Sequence, residues 1–593
     1  MPDLESRANA YLDELSAQRE RRAHRKTPEP PPKPSESSKD ATVISVEKGA
    51  MAAMLEQTEK ALIDHCQDLY QRAGMLTRTA RITQELQEHG FTRPAGSLTL
   101  LPVTTEFLLW RMNQVIQWQK MTLDGPRQAD APRSLASMLL DLAGHWRFPY
   151  LSGIVESPTL RRDGTVLDRP GYDPASGLFL DSGGMEFDPI PDRPTKAQAE
   201  RALDDLRDVL KDFPYDASQD RAVALSGILT VAVRHRLNTA PLHAFSATRP
   251  GSGKSFQADI PALIATGRTA PAMSQATDET EEEKRLVGIL LSAAPLVLID
   301  NINRPLGSDR LCSVLTQQTY KGRVLGLNKN PELPCSLTWF ATGNALTLMD
   351  DLNDRAIMGF LNPPTERPEQ QVFDRDLYSW IPQQRARLAS AVITVLRHYV
   401  VMDFPCQGLT PFVRFNDWSR LIRNALVYLG ETDPVLTQER LRDRDPIRTG
   451  LGALLECWHD IFKNQSMLAS EVAATENREL KAVLQEISSK DGDKINTRML
   501  SHYLRKYTGR AENGLRLVLK GKDGHSKLAL WRVETTKNVR VTAENTANTA
   551  NTADFPPPNP ENRGISGICV VKNNRVENFS AHREPGYDDE EAL

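Results

Sequence analysis

The sequence predicts an α/β core built on a parallel sheet, and three observations in the middle of the chain predict it. From Leu242 to Leu361, strand-like apolar runs alternate with helix-like segments, the pattern that parallel crossovers produce. One of these runs, LHAFSA, passes directly into the loop GSGKS and then into a helical stretch, FQADIPALIATG. Two others, LVLI and LTWFATG, end in the polar residues Asp300 and Asn344.

Taken in order, the flanks differ from this core. Residues 1–48 contain TPEPPPKPSESSKD, too polar and proline-rich to bury a core, and read as a flexible arm. Residues 49–193 form an accessory domain. It begins with mostly helical spacing, as in MLEQTEKALIDHCQDLYQRA, as far as Lys120. It ends in a Gly-, Pro- and Asp-rich stretch over 145–190 that predicts tight turns and short strands. Residues 194–365 carry the core, entered through PTKAQAERALDDLRDVLKDF, a helix with a threonine cap behind a proline. Residues 366–474 read as a helical lid, most clearly in WIPQQRARLASAVITVLRHYVV. Residues 475–536 read as two short helices in INTRMLSHYLRKYTGR and a hairpin in LRLVLKGKDGHSKLALWRV, a winged-helix-like domain. Residues 537–593 form a low-complexity tail with NTA triplets and an acidic end.

Composition excludes several classes. The 593 residues carry a net charge of -4, so any nucleic-acid contact must come from a local patch. None of the six cysteines has a partner at CxxC spacing, which argues against a zinc site or a disulfide framework and for a reducing, cytoplasmic setting. No apolar run reaches the ~18 residues needed to span a bilayer, and MPDLESRANAYLDEL lacks a signal pattern. Neither a Ser/His/Asp set nor HExxH appears, so proteolysis is not expected.

The loop at 248–255 has the chemistry of a phosphate cradle for ATP. Gly251 and Gly253, with Ser252 between them, let backbone N–H groups turn towards phosphate, and the helix starting at Phe256 adds its dipole. Lys254 is placed to reach the β- and γ-phosphates, and the Ser255 hydroxyl to ligate Mg²⁺. The first glycine of G-x-x-x-x-G-K-S is replaced by Thr248. Asp300, at the tip of a buried strand, is expected on the Mg²⁺ side, and Asn344, at a second tip, beside the attacking water.

The order GSGKS, LVLIDN, ATGN resembles the core of AAA+ and superfamily 3 helicases. The flanking stretches GIVESPTLRRDGTVLDRPGYDPASGLFLD and FVRFNDWSRLIRNALVYLGETDPV resemble those of phage, plasmid and genomic-island primase-helicases. This likeness covers roughly residues 60–535. It implies Walker A at 248–255, Walker B at 296–301 and sensor 1 at Asn344. It also implies an arginine finger at Arg355 in DDLNDRAIMGFL, acting on the ATP of a neighbouring subunit, with Arg323 as a second candidate. A trans-acting arginine implies a homo-oligomer, a hexameric ring. No primase motif is visible, so priming would belong to a separate primase.

The chain departs from the AAA+ pattern at the hydrolytic base, because Asp300 is followed by Asn301, which cannot accept a proton as a carboxylate does. Glu281 or Glu282, in TDETEEEK, supplies one alternative. The others are a solvated helix start and slow turnover.

Two places could touch DNA. Between Asp493 and Arg540 twelve basic side chains face four acidic ones, with Arg505, Lys506, Arg510 and Lys522 the expected duplex contacts. Lys329, in GLNKNPELP, lies where superfamily 3 helicases place a channel hairpin, which implies contact with a single strand. The expected function is ATP-dependent unwinding or translocation of DNA in replication of a mobile element. Two other classes stay open: an AAA+ switch that senses or loads nucleic acid, and an origin-binding initiator.

Overall fold

Five strands explain why the middle of the chain reads as near-continuous apolar runs. They are β1 (Leu242–Ala247), β2 (Ala272–Ser274), β3 (Leu296–Ile302), β4 (Thr338–Asn344) and β5 (Ala356–Leu361). In this computed structural model they lie in the order β5-β1-β4-β3-β2, every neighbouring pair parallel. Each residue of β1 and β5 is buried, as expected of a sheet covered on both faces. The period-2 alternation of β3 divides its side chains between two cores. Leu296 and Leu298 pack with Phe245 and Phe340 in one, and Val297 and Ile299 pack with Trp339 and Ala341 in the other. The crossovers contain α1 (Phe256–Thr266), α2 (Glu279–Ser292) and α3 (Asp309–Thr316). An antiparallel pair, Phe91–Arg93 and Leu86–Glu88, extends the sheet beyond β2.

The structure describes residues 42–88, 91–322, 331–365, 367–370, 373–443, 446–488 and 494–536. They belong to two compact units, one comprising residues up to Leu69 and Val103–Phe148, the other Tyr70–Pro102 and everything from Pro149. The accessory region expected over 49–193 is therefore divided between them. In the smaller unit, helices Met51–His65, Thr105–Val115 and Arg133–Asp141 accompany a sheet of Thr42–Ser45, Ile116–Thr122 and Gly125–Ala129. Thr42–Ser45 lies inside the stretch expected to be an arm, yet it pairs in parallel with Ile116–Gln119. The mostly helical reading of Val43–Lys120 needs correction too. After Met51–His65 the chain turns at Ala73 and Gly74, both with positive φ (52° and 71°), between strands Leu69–Arg72 and Met75–Arg81. Two consecutive left-handed residues are the turn a two-residue hairpin uses, and Ala at the first of them hid the signal.

The flanks of the core follow the sequence more closely. Helix Lys196–Leu210 is capped by Thr195, whose hydroxyl accepts from the Gln198 amide while the Gln198 side chain accepts from the Thr195 amide. The 145–190 stretch forms five strands of two or three residues each. Helix Leu377–Val401 then runs the length of α1. Its Arg385 is buried and donates to the Ile264 and Ala265 carbonyls at the C-terminal end of α1, and its Tyr378 hydroxyl donates to Asp259 at 2.8 Å. One side chain thus satisfies orphan carbonyls of α1 while another holds its first turns.

The C-terminal domain is winged-helix-like. A four-stranded sheet contains the hairpin Leu515–Lys522 and Ala529–Thr535, flanked by Ala511–Glu512 and Met467–Leu468. Residues 497–506 form one helix, Thr497–Lys506, where two short ones were expected. Its core also takes in Leu451, Leu454, Leu455 and Trp458 of helix Pro446–Phe462, upstream of the expected start at 475. Among the described residues no helix is long and apolar enough to cross a membrane.

Candidate functional site at the carboxyl edge of the sheet

The loop 248–255 leaves the carboxyl end of β1, where open α/β sheets place their ligands. Gly251 and Gly253 have φ of 75° and 81°, the left-handed region that costs a side-chain-bearing residue ~1–2 kcal/mol. A Cβ on Gly253 would also stand 2.8 Å from the Phe213 ring. The loop is braced from within. The buried Ser252 hydroxyl donates to the Arg249 carbonyl at 2.6 Å, and Lys254 Nζ donates to the same oxygen at 3.1 Å. Burial pushes the Lys254 ammonium below its ordinary value, and the Asp300 carboxylate pulls it back up.

Three oxygens converge beside this lysine. Ser255 Oγ donates to Asp300 Oδ1 at 3.1 Å, and Thr342 Oγ1 donates to the same oxygen at 2.5 Å. The strand order causes this convergence, because β4 lies between β1 and β3 and brings Thr342 within reach of Asp300. Thr342 was not singled out in the sequence. The available signal was its place two residues before Asn344, on the same face of the strand. Asn344 itself is exposed at the end of β4, in register with Ala247, the last residue of β1.

The residue between them explains the motif ATGN. A Cβ on Gly343 would lie 2.6 Å from the Ile302 carbonyl oxygen, so only glycine lets β3 approach there. At that point β3 is irregular: its register with β4 shifts between Ile299 and Ile302, and Asn301 adopts φ 54°. Asparagine is among the few residues that occupy this region readily. The position after Asp300 is therefore a left-handed bulge, with the Asn301 side chain exposed.

Further polar groups surround α1. The Asp259 carboxyl is pushed up by burial, while bonds from the Ala270 amide (2.9 Å) and the Tyr378 hydroxyl (2.8 Å) oppose the shift. Gln257 Oε1 accepts from the Tyr215 hydroxyl at 2.6 Å. Phe256 lies in an aromatic cluster, 4.6 Å from Tyr378 and 6.0 Å from Phe213 and from Phe373, centroid to centroid.

The remaining expected residues are dispersed. Glu281 lies in the first turn of α2, capped by Asp278, and pairs with Arg285 at 3.0 Å. Glu282 is held above the ordinary carboxyl range by burial. Arg355 ends a 3₁₀ turn, Asp350–Arg355, and is largely buried at 8% exposure, with its guanidinium 3.1 Å from Asp351. Arg505 and Lys506 are exposed at the end of helix Thr497–Lys506, and Lys506 stands 3.8 Å from Asp350. Arg510 pairs with Glu512 at 3.2 Å, and Lys522 ends the first hairpin strand. Lys329 and Arg323 lie outside the described residues.

No protein-family model and no curated protein matches the chain. Among solved structures, it is similar to the A form apo structure of the NrS-1 C terminal region at 13% identity, covering 70% of this chain and 92% of that one, with a TM-score of 0.29. An apo structure of NrS-1 residues 305–718 gives 12% identity, 77% and 96% coverage and a TM-score of 0.28. JCV Helicase with a bound acetamide compound gives 12%, 42% and 74%, and a TM-score of 0.19. At such TM-scores these likenesses carry no weight. The P-loop NTPase core, AAA+-like in its parallel sheet, rests on this chain's own strand order and loop.

Proposed function

We propose that this chain is an ATP-driven DNA helicase or translocase that works as a homo-oligomeric ring, a hexamer, in the replication of a mobile element. The observation that carries this reading is the convergence of Ser255 and Thr342 on Asp300 beside Lys254, at the mouth of a glycine loop. Backbone N–H groups of 251–255 and the Lys254 ammonium would hold the β- and γ-phosphates. A hydroxyl and a carboxylate oxygen 3.1 Å apart are the hard donors a divalent cation takes, so Ser255 and Asp300 would hold Mg²⁺. Bound there, Mg²⁺ would neutralise charge on the phosphate oxygens. Thr342 orients the Asp300 carboxylate, and Asn344 holds the attacking water. Glu281 or Glu282 takes its proton, and Arg355 of a neighbouring copy exchanges Asp351 for phosphate.

In this reading Arg505, Lys506, Arg510 and Lys522 contact duplex phosphates, and Lys329 tracks a single strand. A separate primase would act on the unwound strand.

A second reading is favoured by Asn301. A left-handed, non-acidic residue after Asp300 suits an AAA+ switch that binds ATP and turns it over slowly. One experiment separates the two: ATP hydrolysis with and without single-stranded DNA, then strand displacement on a forked duplex, for wild type and Lys254→Ala. The helicase reading expects DNA-stimulated turnover and displacement, both lost in the variant. ATP binding without stimulation or displacement overturns it in favour of the switch.

A further inference from the structure

The opposite edge of the same sheet carries a second cluster of charge. Helix Ser218–Val233 and the turn Arg234–Arg236 lead into β1, so Arg236, Leu237 and Asn238 lie at its amino end. Six strand residues, about 20 Å, separate them from the loop at the other end. Here a cavity of about 230 Å³ is lined by Arg162, Arg236, Asn238, Phe404, Asp417 and Arg420. Arg162, Leu237 and Asn238 also line a second cavity, of about 460 Å³, so the two adjoin across these residues. The lining of this second cavity includes Gln318, Thr319 and Pro334, at the base of the hairpin Thr319–Lys321/Glu332–Pro334 that connects α3 to β4.

Three guanidiniums face the cleft of the first cavity. Arg162 and Arg420 are exposed, and Arg420 lies over the Phe404 ring at 4.2 Å. Arg236 is partly buried. Its Nη2 donates to the Arg162 carbonyl at 3.3 Å, and its Nη1 is buried without a hydrogen-bond partner. Two carboxylates are near: Asp417, in the same lining, accepts from Asn238, and Asp163 accepts from the Thr165 amide and hydroxyl. Burial pulls the Arg236 guanidinium below its ordinary value; Asp163 and Asp417 oppose this, while Arg420 and Arg162 add to it. The neighbouring Arg161 is not available, because it grips Asp173 through two nitrogens.

The aromatic in the cleft is held at a cost. Asp403 and Phe404 have φ of 56° and 53°, and a bulky residue in this region is a true outlier. Strain of this kind persists where surrounding contacts enforce it and clusters at ligand clamps. An arginine stacked on an aromatic ring, with further unpaired guanidinium donors beside it, is the surface that bases and phosphates of a single strand engage.

We propose that the cleft of Arg162, Arg236, Arg420 and Phe404 binds the phosphodiester backbone of a single nucleic-acid strand, at the sheet edge opposite the glycine loop. The inference rests on the nucleic-acid reading above and assigns a role to Arg162 of the 145–190 region. A free small anion would need only one of the two adjoining cavities, the second of which reaches the hairpin base.

The test uses the full chain and a fluorescein-labelled oligo-dT strand, with anisotropy read over a salt series. Arg162→Ala/Arg420→Ala removes two exposed charges and is expected to weaken binding about tenfold. The slope of log K against log salt becomes shallower by about 1.4, at ~0.7 per lost phosphate contact on a single strand. Asn238→Asp, which adds a negative charge while keeping every arginine, weakens binding in the same direction. If wild type binds the strand and both variants match it in affinity and slope, the cleft proposal is overturned and the helicase reading stands. If wild type binds no strand with or without ATP, both fall. If calorimetry shows that the double variant loses pyrophosphate binding while strand binding is unchanged, the cleft is a small-anion site and the proposal is overturned.

Discussion

The two edges of one parallel sheet use charge differently. At the carboxyl edge, one ammonium and one carboxylate lie among backbone donors, and nearly every polar atom is braced: Lys254 and Ser252 on Arg249, Ser255 and Thr342 on Asp300. At the amino edge, three arginines share a cleft of about 230 Å³, and one guanidinium nitrogen is buried without a partner. Pre-positioned, mutually held groups suit a reaction in which charge moves by less than an ångström. A row of side chains with spare donors suits adhesion to a polymer whose phosphates repeat. The contrast teaches that each edge should fail in its own way.

The largest effect is expected from Asp300→Asn, which keeps the shape and removes the charge. Single-turnover ATP hydrolysis should fall about 100-fold or more, while binding of a fluorescent ATP analogue changes only a few-fold. Equal losses in both would mean that Asp300 acts in binding. Gly253→Ala should sharpen the contrast from the other side. Its φ of 81° and the Phe213 ring 2.8 Å from the new Cβ strain the loop itself, so nucleotide affinity should fall about tenfold. Thr342→Val removes one hydrogen bond to Asp300, and a roughly fivefold drop in turnover with unchanged nucleotide affinity is expected. No drop would make Thr342 a packing residue.

The smallest effect concerns stability and pH. His243 on β1 is buried and His235 at the amino edge half-buried, and desolvation lowers them to about 3 and about 4 from 6.5. A depressed histidine binds its proton less readily folded than unfolded, so its stabilising contribution is present above pH 6.5 and is lost as pH falls through the folded value. Each should remove about 1 kcal/mol per pH unit below 6.5. Asp220 and Asp259, raised mainly by burial, have the opposite sign: their contribution is full below 3.8 and is lost as pH rises through the folded value. As pH falls the aspartates offset part of the histidine loss, so His243→Asn should raise the thermal midpoint at pH 5 relative to that at pH 6.5 compared with wild type, and an unchanged difference would contradict the burial of His243.

Much of the core was legible because its constraints are local. Gly-x-Gly with positive φ, a strand running into a helix and the apolar period of β3 are all imposed within a few residues. The parallel sheet, the winged-helix-like hairpin and the Thr195 cap follow from such signals. The Ala73-Gly74 hairpin was missed because alanine at φ 52° looks like helix in sequence. The candidate site was legible at Ser255 and Asp300, which converge, and illegible at Thr342, which reads as an ordinary strand residue.

By itself the sequence determined the loop, the strand tips and the order in which they follow one another, since backbone sterics and hydrophobic period act over short distances. Only the tertiary structure decided which tips meet. It put β4 between β1 and β3, set Gly343 against the Ile302 carbonyl and turned Asn301 into a bulge. It also gathered Arg162, Arg236 and Arg420 from three distant segments into one cleft. Such meetings depend on how layers pack across the sheet, and a contact between residues far apart in the chain leaves no local pattern behind.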